Sequence, residues 1–347
     1  MTDFNSIKNF LRYYSGKEIS LMEVCGTHTS VIAKAGIHSM LSPKIKLVSG
    51  PGCPVCVTVS SYIDRLCFLA EQPDTTIVTF GDMMKVRGSV KSLLDVTAEG
   101  GSVKMVYSPF DVLALCEKEP DRLFVFAAIG FETTSPVYAL LLQKALDNNI
   151  KNLKLLTSLK TMPEAVEWVC EHNSMLDGFI APGHVCAVTG SDIFLPLAEK
   201  YEMPFVVSGF TPEHILCAVY LLIKKREQGK VFNLYTSTVR KEPNETARLL
   251  CERFFRKDSA GWRGLGAIAD SGLYIKDDYK EFDAGSSFLL EDAQKNKVCR
   301  CPEVITGAIS PKECTLLGKL CTPENPQGAC MVSEEGSCHS AYLYEQP

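Results

Sequence analysis

No run of eighteen successive apolar residues occurs in the 347-residue chain, so nothing in it reads as a helix long enough to cross a bilayer. The opening segment, MTDFNSIKNFLRYYSGKEIS, lacks the charged, apolar and small-residue succession of a signal peptide. These absences lead us to expect a soluble, cytoplasmic protein without a membrane partner. Long Lys/Arg runs are missing too, and the formal net charge is -5, so no phosphate-tracking stripe is available and nucleic acid is not an expected partner. Neither a Walker-type loop nor a Gly-x-Gly-x-x-Gly fingerprint is found, which leaves nucleotide binding without support.

What is present is apolar content, 46% of a chain longer than one core usually supports, and fifteen cysteines. An odd number of thiols spread over a large chain suits a reducing compartment. There, selected cysteines serve metal binding or redox chemistry instead of structural stapling.

Apolar, strand-like runs at 19–24, 45–48, 76–80, 103–107, 123–129, 153–157, 178–181 and 205–207 are separated by helical stretches at 60–70, 137–146 and 212–224. A short amphipathic helix is expected at 7–14. The alternation predicts an α/β fold with parallel sheets. An internal repeat accompanies it. Gly81-Asp82-Met83-Met84-Lys85-Val86-Arg87-Gly88-Ser89 aligns with Gly183-His184-Val185-Cys186-Ala187-Val188-Thr189-Gly190-Ser191, Cys25 to Thr29 with Ile129 to Thr133, and Ser108 to Asp111 with Phe210 to Glu213. Two copies point to duplication. We expect two similar α/β domains, 20–120 and 121–230. A smaller mixed third domain, 1–19 with 231–347, would hold a helix at 245–256, a Gly-rich turn region and a cysteine-rich tail.

In that tail Cys314, Cys321, Cys330 and Cys338 are separated by six, eight and seven residues in Gly- and Pro-studded loops. Four thiolates on flexible spacers can wrap a [4Fe-4S] cluster, and a tail without a core of its own needs such an anchor. Structural zinc sites pair cysteines more closely, so zinc is the lesser alternative. Cys299 and Cys301, spaced Cys-x-Cys, are expected to be substitute ligands or a nearby thiol pair, and His339 is expected to be incidental.

Cys25 follows a strand and opens a helix, where free N–H groups and the helix dipole would lower its pKa, the alternative being a buried strand-end cysteine beside a capping Thr27; His28, one turn on, can exchange a proton with whatever Cys25 holds. Gly50-Pro51-Gly52-Cys53-Pro54-Val55-Cys56 sets two thiols at Cys-x2-Cys, a spacing that allows a reversible disulfide or two metal ligands. Cys67, Cys116, Cys170, Cys217 and Cys251 lie in apolar helical stretches and read as small core residues, while Cys186 is ambiguous. Asp82, Glu132, His184 and Glu213 follow strands, where α/β sheets collect ligands, although each also suits a helix cap.

Glu23-Val24-Cys25-Gly26-Thr27-His28-Thr29, Gly50 to Cys56, Gly130-Phe131-Glu132-Thr133-Thr134, Pro182-Gly183-His184-Val185 and the tail with Cys321-Thr322-Pro323 and Gly328-Ala329-Cys330-Met331-Val332-Ser333 together resemble the HypD family of hydrogenase maturation proteins. The likeness runs along most of the chain. Arg87 departs from it, standing where the family has Pro. The resemblance implies a scaffold that, with HypC, builds the Fe(CN)2CO group of [NiFe]-hydrogenase, cyanide arriving from HypE. It implies Cys25 as an iron ligand shared with a cysteine of HypC, His28 assisting nearby, and Cys53/Cys56 as a redox pair. A [4Fe-4S] cluster on Cys314, Cys321, Cys330 and Cys338 would relay electrons in the manner of ferredoxin-thioredoxin reductase. The rival readings are a cluster-dependent thiol-disulfide reductase acting on a protein disulfide, and a structural zinc protein.

Overall fold

The computed structural model describes residues 3–293 and 298–345. Its strands in chain order are β1 Ile19–Glu23, β2 Ile45–Ser49, β3 Thr75–Thr79, β4 Val103–Met105, β5 Leu123–Gly130, β6 Leu153–Lys160, β7 Gly178–Pro182, β8 Phe205–Ser208, β9 Val231–Asn233, β10 Phe255–Trp262 and β11 Gly266–Ile275. The apolar runs of the sequence are the first eight. In β5 every residue after Leu123 is buried, as a strand covered on both faces requires.

Helices form at Ser60–Ala70 and Pro212–Lys224, as the pattern predicts, and the 137–146 stretch lies within Ser135–Asp147. Pro136 stands in the first turn of that helix, where its missing N–H costs nothing. Thr211 caps Pro212–Lys224 by accepting from the His214 N–H at 3.3 Å. The first helix is Phe4–Arg12, slightly earlier than the 7–14 expected, and the helix expected at 245–256 is Glu245–Phe254. Among the described residues no helix is long and apolar enough to cross a membrane.

Two sheets result, so the α/β expectation holds. One, ordered β2-β1-β7-β8-β9, is parallel throughout. The other, β10-β11-β6-β5-β3-β4, is parallel from β6 to β4 and carries the antiparallel β10-β11 pair at one edge. Matching each strand to the one four places away in the chain, β2-β1-β7-β8 and β6-β5-β3-β4 have the same order.

The chain divides into two compact units, one of Met1–Cys56, Ala165–Asn244 and Val298–Pro347, the other of Val57–Glu164 and Glu245–Lys297. This differs from the contiguous stretches 20–120 and 121–230. Repeated loops mark where strands end, but which strand lies beside which is decided by burial: β1 pairs with β7, and β3 with β5. The segment from Val298 belongs to the first unit, and Glu245–Phe254 with β10 and β11 belongs to the second.

Each unit has its own core. In the first, Leu11, Ile19, Leu21, Ile180, Val206, Ile215 and Val219 pack together; in the second, Phe124, Phe126, Tyr138, Leu142, Leu155 and Phe254 do. Each such fully buried side chain stabilises by about 1.5–3 kcal/mol. These cores hold the strand ends, and therefore the loops after them, in fixed positions.

Candidate functional site

In the first unit the chain steps from β1 to β2 on one side and from β7 to β8 and β9 on the other. The order therefore reverses between β1 and β7, the place where open α/β sheets bind ligands beyond the carboxyl ends of the strands. The loop after β1 carries Cys25 and His28, that after β2 carries Gly50 to Cys56, that after β7 begins Gly183-His184, and that after β8 begins Gly209-Phe210.

Two of these loops interlock through backbone. The Gly50 N–H donates to the Glu23 carbonyl at 2.7 Å and the Gly26 N–H to the Gly52 carbonyl at 3.0 Å. A Cβ on residue 52 would lie 2.3 Å from the Cys25 nitrogen, so this close approach needs glycine. Just beyond it, Cys53 and Cys56 are joined as a disulfide with Cα atoms 5.2 Å apart. Both are buried, and the Cys56 N–H points at the Cys53 sulfur at 3.1 Å. Of the two alternatives that Cys-x2-Cys allows, the structure has the disulfide.

Cys25 is the N-cap of the helix Gly26–Lys34. The N–H groups of His28 and Thr27 face its sulfur and favour thiolate, as the helix N-terminus predicts, but burial outweighs them and the Glu23 and Glu335 carboxylates add to it, pushing the thiol up to about 12. The expectation of a lowered pKa is thus corrected: the dipole effect is real and smaller than desolvation. Glu23, which sequence reasoning passed over, clamps the loop. Its carboxylate accepts the Cys25 N–H at 2.9 Å and the Thr29 hydroxyl, and burial raises it to about 7.

His28 is fully buried. Its Nε2 lies 3.0 Å from the Gly209 carbonyl, which can only accept, so Nε2 carries the hydrogen and Nδ1 keeps a lone pair; Nδ1 has no protein partner. Phe210 stacks on the His28 ring at 4.8 Å and on the His184 ring at 3.8 Å. Burial lowers His28 to about 4. The ring is a fixed, neutral acceptor.

The tail reaches the same place. A Cβ on Gly26 would sit 2.4 Å from the Glu335 Cβ, and the Thr27 hydroxyl donates to Glu335 Oε1 at 3.4 Å. Glu335 stands between Cys330 and Cys338, and Gly336 packs so closely that a Cβ there would lie 2.1 Å from the Cys330 carbonyl oxygen. Cys299, Cys301, Cys314, Cys321, Cys330 and Cys338 ring one small cavity whose wall is completed by leucines and Met331. The Cys301 and Cys330 sulfurs are 2.8 Å apart. Cys330 is raised well above the ordinary thiol value by contact with Cys301 and Cys338, and Cys299 is pushed up to about 12 by burial and by Cys301.

Among the described residues no three His, Cys, Asp or Glu side chains stand at ligating distance around one point. The chemistry of the donor set nevertheless fits an iron–sulfur cluster: soft sulfur, no carboxylate or imidazole in the wall, and more thiols than the four such a cluster takes. Cys299 and Cys301 lie in the wall of this cavity with the four cysteines of the sequence argument.

Other candidates resolve differently. Glu132 is buried in the second unit and one oxygen caps the Met162 N–H at 2.7 Å. Glu213 is an exposed first-turn residue held below the usual carboxylate range by its own backbone and Thr211, a helix cap. Asp82 is exposed at the start of Gly81–Lys85, in the loop where Arg87 reaches the Val90 carbonyl at 3.2 Å. Cys67, Cys116, Cys170 and Cys186 are buried, with Cys217 and Cys251 half-buried. His339 is tied to the Met331 carbonyl at 3.0 Å.

A family profile described as "HypD: Hydrogenase formation hypA family" matches residues 4–345. A hydrogenase maturation factor HypD of Azotobacter vinelandii is 41% identical over 94% of this chain and 90% of its own length. A putative hydrogenase expression/formation protein of Methanocaldococcus jannaschii is 38% identical over 95% and 93%, and the HypD of Escherichia coli is 38% identical over 97% and 92%.

Proposed function

Because the chain belongs to the HypD family of hydrogenase maturation factors, we propose that it is the scaffold on which the Fe(CN)2CO group of [NiFe]-hydrogenase is assembled with HypC, cyanide arriving from HypE. The observation that carries this reading is the chain of contacts within one unit: Gly52 against Cys25, Glu335 against Gly26, and Gly336 against Cys330. The segments carrying Cys25, the Cys53–Cys56 disulfide, and Cys330 with Cys338 are thereby in close contact.

The iron fragment is the cargo. Cys25 holds it through sulfur, shared with a cysteine of HypC, and gives up its proton as the metal binds. Glu23 fixes the backbone on which that sulfur stands, and His28 offers Nδ1 as an acceptor for a donor on the incoming group. Cys53–Cys56 takes up two electrons and two protons to become two thiols. Cys314, Cys321, Cys330 and Cys338 hold a [4Fe-4S] cluster, which when bound supplies electrons one at a time. Thirteen free cysteines beside one disulfide suit a reducing cytoplasm. The matching strand orders of the two sheets support an ancestral duplication in which strand pairs were exchanged.

Anaerobic purification with HypC and HypE, followed by iron, zinc and sulfide analysis and infrared spectroscopy, tests the reading. The expected result is brown protein with cyanide and carbonyl bands that vanish in Cys25→Ala. Cluster iron and sulfide without those bands favours the thiol-disulfide reductase, which uses Cys53–Cys56 and leaves Cys25 idle. Zinc without sulfide overturns both.

A further inference from the structure

In the second unit the sheet order reverses between β5 and β3, and β5 and β6 run side by side with Gly130 opposite Leu159. The last residue of β6 is Lys160, 2% exposed. A buried ammonium is expected to have a carboxylate partner. Among the described residues Lys160 has none; Nζ donates to the Ser158 hydroxyl at 2.8 Å and lies over the Trp262 ring at 5.6 Å. One hydrogen bond and an indole face leave donor capacity on the three-hydrogen ammonium unused.

The neighbouring polar groups are short of partners as well. Thr161, the next residue, has a buried hydroxyl without a hydrogen-bond partner, although its N–H is tied to the Ser271 carbonyl at 2.9 Å. Glu132, two residues beyond β5, uses one oxygen on the Met162 N–H and leaves the other buried and unpartnered. Trp262 is locked by its Nε1–H donating to the Ser271 hydroxyl at 2.8 Å and by stacking on Phe131 at 5.9 Å. The result is a buried amine without a carboxylate partner, beside a fixed indole, at the carboxyl end of β6. Burial lowers the Lys160 ammonium to about 7, the cost of having no anion beside it.

We propose that Lys160, with the Thr161 hydroxyl, forms a second ligand site that takes a small oxyanion of the carboxylate or phosphate class. The anion accepts from Nζ and from Thr161, supplying the counter-charge the protein omits.

The full-length protein, with acetate and with inorganic phosphate as separate probes, tests this. An amine-reactive reagent followed by peptide mass spectrometry should modify Lys160 at least about ten-fold more slowly near saturation with one of the two anions, the loss expected when a charged hydrogen bond must be broken first. The same anion should raise the thermal midpoint of the wild type, leave Lys160→Met unmoved and act more weakly on Thr161→Val. Protection by acetate alone assigns carboxylates, by phosphate alone phosphates. Protection by neither, or equal midpoint shifts in wild type and Lys160→Met, overturns the proposal. If Lys160→Met does not fold, protection of the wild-type lysine decides. No readout involves the iron fragment, so this site stands or falls apart from the scaffold reading.

Discussion

Cys25 combines an N-cap position, which favours thiolate, with a half-buried sulfur whose desolvation, helped by the Glu23 and Glu335 carboxylates, opposes it more strongly. In metal-free protein with the disulfide intact, iodoacetamide at pH 8 should therefore label Cys25 roughly a hundred-fold or more slowly than an ordinary exposed cysteine, because the thiolate fraction is that much smaller. Rapid labelling would show the helix end winning. Glu132 gives a pH signature of its own. Burial raises it to about 7, whereas in the unfolded chain it titrates near the ordinary carboxyl value. The folded state thus holds the proton more tightly. The stability linked to that proton is full below about pH 4.5 and falls as pH rises through 7, by up to roughly 3 kcal/mol. Urea unfolding of Glu132→Gln at pH 5 and 7.5 should show the variant gaining on the wild type at the higher pH. A constant difference would mean that Glu132 is already ionised when folded.

At the scale of elements, the loops after β1 and β2 are one device, closed by two backbone hydrogen bonds and by the absence of a side chain at Gly52. Gly52→Ala forces the Cys53–Cys56 loop off Cys25 and should destabilise the protein by about 1–3 kcal/mol while abolishing hydrogenase maturation. Gly81→Ala, whose Cβ meets only the Met105 sulfur at 3.2 Å, should cost far less; calorimetry of the pair with a maturation assay checks both. Most of the first eight strands were legible because buried parallel strands are apolar runs, although β4 has no buried residue, and the cysteine groups were legible from spacing. The β10-β11 hairpin was not: Phe-Arg-Lys-Asp-Ser-Ala-Gly-Trp mixes charge and small residues, and only its turn at Gly264, in a left-handed conformation, announced itself. Helix Met162–His172 was also missed. Glu23 and Glu335 escaped because a carboxylate gripping a backbone N–H or a threonine hydroxyl has no sequence spacing to recognise. The direction of the Cys25 shift escaped because burial is a property of packing.

For the whole molecule, the important fact is that neither sheet is made from consecutive chain. A protein truncated after residue 120 keeps β1 to β4 but lacks β7, β8 and β9 of one sheet and β5, β6, β10 and β11 of the other. Circular dichroism and urea titration should find no cooperative transition in it; a cooperative melt would show that 20–120 is a domain after all. The interleaving also imposes an order on synthesis. β1 ends at Glu23 and its neighbour β7 begins at Gly178, so at 5–20 residues per second the first thiol loop waits about eight to thirty seconds on the ribosome for the strand that will set its position. The cysteines from 299 onward emerge later still. Newly made chains therefore carry Cys25, Cys53 and Cys56 before the strands that fix the positions of their loops have been synthesised.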